Sequence, residues 1–216
     1  MATICKEPSK HLPLNVKRAR LRGMTQFHEP PILSNLTGQL LIATPQMDDT
    51  RFQKSVILMC QHDSNGAMGL IVNKPMEELT LAGLAKNLKM ETPRFDGAAA
   101  VLNGGPVEPR RGHVLHGPDQ IMPGSVAVTE DIFMSLHRDM ITEIVRGLGP
   151  ADWRIMLGHA GWAAGQLEEE IRQNMWFHAG AEASLVFAGE AGRIWPDSYA
   201  SAGIDASRLS PVSGQA

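Results

Sequence analysis

Cysteine is nearly missing from this chain, with only Cys5 and Cys60 among 216 residues. One falls in an irregular basic stretch and the other in a strand-like run, so no disulfide framework is expected and a reducing cytoplasm suits the protein. Aromatic residues are sparse, 5% with a single tyrosine, too few for a base-stacking platform. No apolar run approaches the roughly 18 to 20 residues that a membrane helix needs, and the first residues hold no continuous apolar core of the kind a secretory signal requires. A membrane partner is therefore not expected. Also missing are C-x-x-C, H-E-x-x-H, the G-x-S-x-G elbow, G-x-G-x-x-G and the phosphate-binding P-loop, so the reading includes no cofactor and no metal.

What is there fits one globular body with a basic leader. Residues 1 to 26 carry Lys6, Lys10, Lys17, Arg18, Arg20 and Arg22 against Glu7, a surplus of +5 that leaves −8 on the rest of a chain of net charge −3. Residues 1–33 read as a solvated, disordered arm, with nucleic-acid contact and an organelle transit peptide as the alternatives. Pro30 and Pro31 close the arm, and residues 34–216 read as the globular domain, single or made of two packed subdomains.

Along that body, "GQLLIAT", "SVILMCQHD" and "AMGLIVN" read as strands, the last two as a hairpin through Asn65-Gly66. "LTLAGLAKNLKM" spaces Leu81, Leu84, Ala85 and Leu88 for one helix face, with Thr80 as its N-cap. "AAAVLNGGPV", "RGHVLHG" and "GSVAVT" are further strands. "EDIFMSLHRDMITEIVRGLG" reads as one long helix with Ile141, Ile144, Val145 and Leu148 in its stripe and Gly149-Pro150 as its stop. "WRIML" is a strand, "GQLEEEIRQN" a helix, "MWFHA" and "SLVFA" strands, and residues 193–203 a last helix. Strands and helices interleave irregularly, which predicts a mixed-sheet α/β or α+β fold rather than a doubly wound one.

Three blocks, "GQLLIATPQMDDTRFQKSVILMCQHDSNGAMGLIVNKP", "LNGGPVEPRRGHVLHGP" and "LGHAGWAAGQLEEEIRQNMWF", resemble the signature stretches of the YqgE/AlgH family of bacterial proteins. The resemblance runs from about Gly38 to Gly203. It implies a three-layer αβα core with a smaller mixed-sheet part and a cytosolic protein; one branch of the family is named as a regulator of alginate production, and no agreed set of catalytic residues comes with it.

Candidate chemistry therefore rests on the residues. Gly158, Gly161 and Gly165 read as a packed strand-to-helix turn that offers Trp162, Gln166 and Glu168 to a neutral or cationic partner, since Glu168, Glu169 and Glu170 already answer the helix dipole. Substitution of Gly161 by valine is expected to be costly. "NGGPVEPRRGHVLH" combines the Gly104-Gly105-Pro106 turn with Arg110, Arg111 and His113, an anion site unless arginine pairs with Glu108. His113 and His116 should point to opposite faces of a strand, while Cys60 and His62 should share one, the minimum for a thiolate with its base. The leading expectation is a non-enzymatic adaptor or regulator working through the Gly104–His113 and Gly161–Glu168 surfaces. The rivals are a small-molecule enzyme using Arg111, His113 and Glu168, and a nucleic-acid binder using the arm.

Overall fold

The computed structural model describes residues 35–90 and 97–209; the basic arm and its two prolines lie outside them. The backbone is organised around one curled sheet in the order β10 (Trp176–Gly180), β1 (Gln39–Ala43), β2 (Val56–Asp63), β3 (Gly66–Ile71), β9 (Trp153–Ala163), β6 (Val107–His116), β8 (Phe133–Ser135) and β7 (Val126–Ala127). To its side, β5 (Ala100–Asn103) pairs with β9 in parallel and with β4 (Pro75–Thr80) antiparallel. Every other strand pair among the described residues is antiparallel, so the sheet is mixed through β5 alone.

Alternation along the central strands explains why helices lie on both faces. Leu40, Ile42, Val56 and Leu58 meet Val186 of α4 (Ala183–Phe187) and Ile194 and Tyr199 of α5 (Ala191–Ser201). Their neighbours Leu41, Ile57 and Met59 pack instead with Leu167 of α3 (Gln166–Arg172) and with Trp162 and Trp176. Over β5, β6 and β9, Val101, Val114 and Ile155 are covered by α1 (Leu81–Asn87) and α2 (Arg138–Arg146). This is an α/β fold whose sheet and helices enclose three clusters of buried residues.

Local chemistry accounts for several boundaries. Thr80 caps α1 as its hydroxyl accepts from the Gly83 amide at 3.3 Å, and Asp63 accepts from the Asn65 amide at 2.7 Å in the β2–β3 turn. The long helix is shorter than its periodicity suggests. Phe133, Met134 and Ser135 are drawn into β8 by ladder pairing with β6, and the helix ends at Gly147, whose φ of 72° forms a left-handed cap. Leu148 therefore falls outside the stripe and is exposed. "SLVFA" is helix α4 and no strand: Glu182 carbonyl accepts from both Leu185 and Val186, and Val186 and Phe187 are buried against the sheet. β4 is not among the strands read from the sequence; Pro75 is tolerated as the first residue of a short strand bonded on one side.

The largest difference lies in "LGHAGWA". It is the second half of the eleven-residue strand β9, and the turn into α3 is confined to Ala164 and Gly165. Met156 and Leu157 pair with β5 and β6, whereas Ala160 to Ala163 pair with β3. Between these halves Gly158 has φ of 75°, a conformation only glycine takes without strain.

Candidate functional site

The two surfaces singled out in the sequence meet at Gly158. Strand β6 pairs Val107 with His159 and then Gly112 with Leu157, so residues 108–111 bulge opposite Gly158 alone. A Cβ on Gly104 would drive into the Gly158 carbonyl, and one on Gly105 into the His159 backbone. Glycine at these positions thus allows backbone to lie on backbone. Gly161 does not share that role: its φ is not positive and the nearest atom to an added Cβ is a Val107 methyl at 3.7 Å. The expected cost of Gly161→Val is corrected accordingly.

Within the bulge, Arg111 donates to Glu108 at 2.9 Å and both side chains are about half exposed. Such a pair adds little stability, and it takes one of the five donors of the guanidinium while setting a carboxylate beside any anion that would meet the rest. His113 is only 1% exposed and its ring lies edge-on to His159 at 5.6 Å between centroids. Neither ring's Nδ1 has a partner among the described residues. Burial, with the charge of His159 adding to it, draws His113 down to about 4, and burial lowers His159 as well. His116 is elsewhere, stacked on Phe133 and bonded to Ser125 and the Gly117 carbonyl. The carboxylate whose charge reaches both His113 and His159 is Glu108. The trio of Arg111, His113 and Glu168 is not assembled, because Glu168 is paired with His62 at 3.0 Å.

A pH dependence follows from the buried ring. The unfolded chain protonates His113 near 6.5 and the folded chain only near 4, so its stabilising effect is complete above pH 6.5 and is lost as pH falls between those values. The loss should be about 3 kcal/mol at 1.36 kcal/mol per pH unit. Urea titrations at pH 7 and pH 4.5 of the parent and His113→Phe should show a flatter profile in the variant; parallel profiles would contradict the assignment.

Cys60 and His62 do not share a face. The β2–β3 register slips between Met59 and Gln61, and this bulge inverts the alternation. Cys60 points into the core with Leu58 and Leu70, while His62 turns the other way, its Nδ1 accepting from the Leu36 amide at 3.1 Å and its Nε2 meeting Glu168. Burial pushes the Cys60 thiol up to about 12, which keeps it protonated and removes the nucleophile. Among the described residues no group of three or more His, Cys, Asp or Glu is placed to hold a metal ion.

What the structure does assemble is a groove of about 490 Å³ that joins both surfaces, with Pro106 and Val107 on one side and Gly161, Trp162, Gln166 and Glu170 on the other. Trp162 and Trp176 are 7% and 4% exposed and meet edge to face at 6.1 Å, with Phe52 beyond at 5.9 Å from Trp176. Trp162 is therefore part of the groove's floor and no open platform. Both indole N–H groups donate to Glu170 Oε2, at 2.9 and 2.8 Å, and Gln166 donates to Oε1 at 2.9 Å. The same Gln166 accepts from the Ala163 amide at 3.1 Å, which pins the Gly165 turn. The sequence assigns Glu170 only to the helix dipole, although it lies one helical turn from Gln166 and could have been sought there as its i, i+4 partner. Asp48 and Asp49 form the rim, where Arg51 holds the Asp49 carboxyl below its ordinary value through a bidentate contact.

The model of the AlgH-like family matches residues 40–207. This chain belongs to that family. A UPF0301 protein of Paracoccus denitrificans is 43% identical over 186 residues, 85% of this chain and 98% of the relative, and one of Stenotrophomonas maltophilia is 41% identical over 86% and 98%. The solution structure of the AlgH protein from Pseudomonas aeruginosa is similar with a TM-score of 0.70 at 34% identity, covering 89% of this chain and all of that one. A crystal structure of a Corynebacterium diphtheriae protein shares the fold with a TM-score of 0.60 at 22% identity, over 74% of this chain and 84% of that one. No helix of the described residues is long and apolar enough to cross a membrane.

Proposed function

We propose that this protein acts by binding rather than by chemistry, as a cytoplasmic adaptor or regulator whose groove receives a cationic group of a protein or small-molecule partner. The observation that carries this reading is Glu170, held by two buried indoles and Gln166 before any partner arrives. Three of its roughly four acceptor positions are taken, which leaves one directed by its neighbours for an incoming donor. Asp48 and Asp49 bring the groove to three carboxylates against the single guanidinium of Arg51, a field that attracts positive charge. The groups that chemistry would need are committed elsewhere: Cys60 is protonated in the core, His113 is shut away as the neutral ring, and Arg111 is paired. The regulatory role that the AlgH-like resemblance suggests belongs to this same reading.

Calorimetric titration with arginine amide and spermidine tests it. Binding should be saturable at low salt, weaken several-fold between about 0.02 and 0.2 M salt as the Debye length shortens, and weaken again in Asp48→Asn. The absence of saturable binding, or binding indifferent to both salt and Asp48, would overturn the reading.

A further inference from the structure

A pair of recesses lies around Trp195, with charge opposite to that of the groove. The Trp195 indole donates to the Ala43 carbonyl at 2.8 Å and its ring meets Tyr199 edge-on at 5.2 Å, so it is fixed in place while remaining half-buried. Two recesses of about 550 Å³ each have Trp195, Gln53 and Lys54 in their walls, and one of them adds Asn73 and Lys74. Among the described residues neither is lined by a carboxylate side chain, though the charge of Asp49 reaches Lys74, on a body whose residues beyond the arm carry a surplus of negative charge.

The backbone of Lys54 and the ammonium of Lys74 are held in position. Lys54 has φ of 54°, a left-handed backbone that a side chain rarely adopts. Asn73 maintains it, donating to the Lys54 carbonyl at 2.8 Å while accepting from the Val56 amide at 2.8 Å. Strain kept in place by a buried amide is characteristic of binding sites. Lys74 donates to the Arg51 carbonyl at 2.7 Å, and its partial burial lowers its pKa. An ammonium short of water gains when an anion approaches.

We infer that this double recess binds an anion of mononucleotide size, its planar ring lying on Trp195 and its phosphate meeting Lys54 and Lys74. Ring stacking is tolerant of base identity, so the site should discriminate weakly among bases. The recesses fall in the usual range for small-ligand pockets, about 300 to 1,000 Å³. Met47 stands in the wall of both this site and the acidic groove, and the charge of Asp49 reaches Lys74, but the two take ligands of opposite charge, so either can fail without the other.

The test is calorimetry on the full chain with the four ribonucleoside monophosphates, the corresponding nucleosides and inorganic phosphate. The monophosphates should bind saturably, with nucleosides and phosphate each at least about ten-fold weaker. Lys54→Gln should weaken monophosphate binding roughly ten-fold, one charge-assisted contact, and Trp195→Phe by several-fold, whereas Asp48→Asn, which removes a negative charge from the neighbouring loop, should not weaken it. Thermal midpoints of the variants confirm that they fold. Three results would overturn the inference: no saturable binding of any monophosphate, equal affinity for inorganic phosphate and monophosphate, or binding untouched by Lys54→Gln and Trp195→Phe, which would assign it to the basic arm.

Discussion

Gly158→Ala is expected to destabilise the protein by about 4 kcal/mol. Two penalties combine: an L side chain at φ of 75° carries a strain on the order of 1 to 3 kcal/mol, and overpacking against fixed atoms adds a similar amount. The overpacking is severe because a Cβ would drive into the Gly105 carbonyl oxygen and stand 3.1 Å from the Val107 oxygen and 3.2 Å from the Pro109 Cα, all backbone. Gly161→Ala is the control. It lies three residues further along β9, is exposed, and has nothing nearer than 3.7 Å to an added Cβ, so its effect should stay within about 0.5 kcal/mol. Urea denaturation of the two variants decides the matter, and equal midpoints would refute the close approach.

Glu170→Ala should cost a similar amount, on the order of 4 kcal/mol, since it strands two buried indole donors at about 1 to 3 kcal/mol each. Glu170→Gln keeps one acceptor oxygen and should recover roughly half. Near-ultraviolet circular dichroism should change in both, because Trp162 and Trp176 lose their common anchor. If Glu170→Ala melts like the parent, the carboxylate is an ornament of the groove and the binding proposal loses its foundation.

The sequence made the central hairpin, the α1 cap and the α2 stripe legible because those features depend on residues close together in the chain. Thr80 needs only Gly83, and Asn65-Gly66 needs only its flanking strands. Where distant partners decide, local pattern fails. Phe133 to Ser135 keep helical spacing with the apolar residues of α2, yet ladder bonds to β6 hold them extended. Gly158 and Gly161 look alike in the sequence, and only the bulged strand opposite makes one of them indispensable. Cys60 and His62 satisfy the period-two rule until a single slipped residue in β2 turns them apart. Of the surface residues that the sequence singles out, Gly161, Trp162 and Gln166 line the groove and Glu168 does not; Glu170 at its centre takes its meaning from Trp176 on the next strand. The Arg111–Glu108 pair was the plainer of two readings at the bulge, and it is the one present.

Strand β9 has one more consequence. Its first half is bracketed by β5 and β6 and its second half is bonded to β3, so a single run of backbone belongs to both parts of the sheet. Cutting the chain into interchangeable modules has no natural place here: any fragment that keeps β9 strips the other of its central partner and leaves a long unpaired edge open to aggregation. Recombination between relatives would have to carry both parts together, and the unit on which selection for stability acts is the whole sheet.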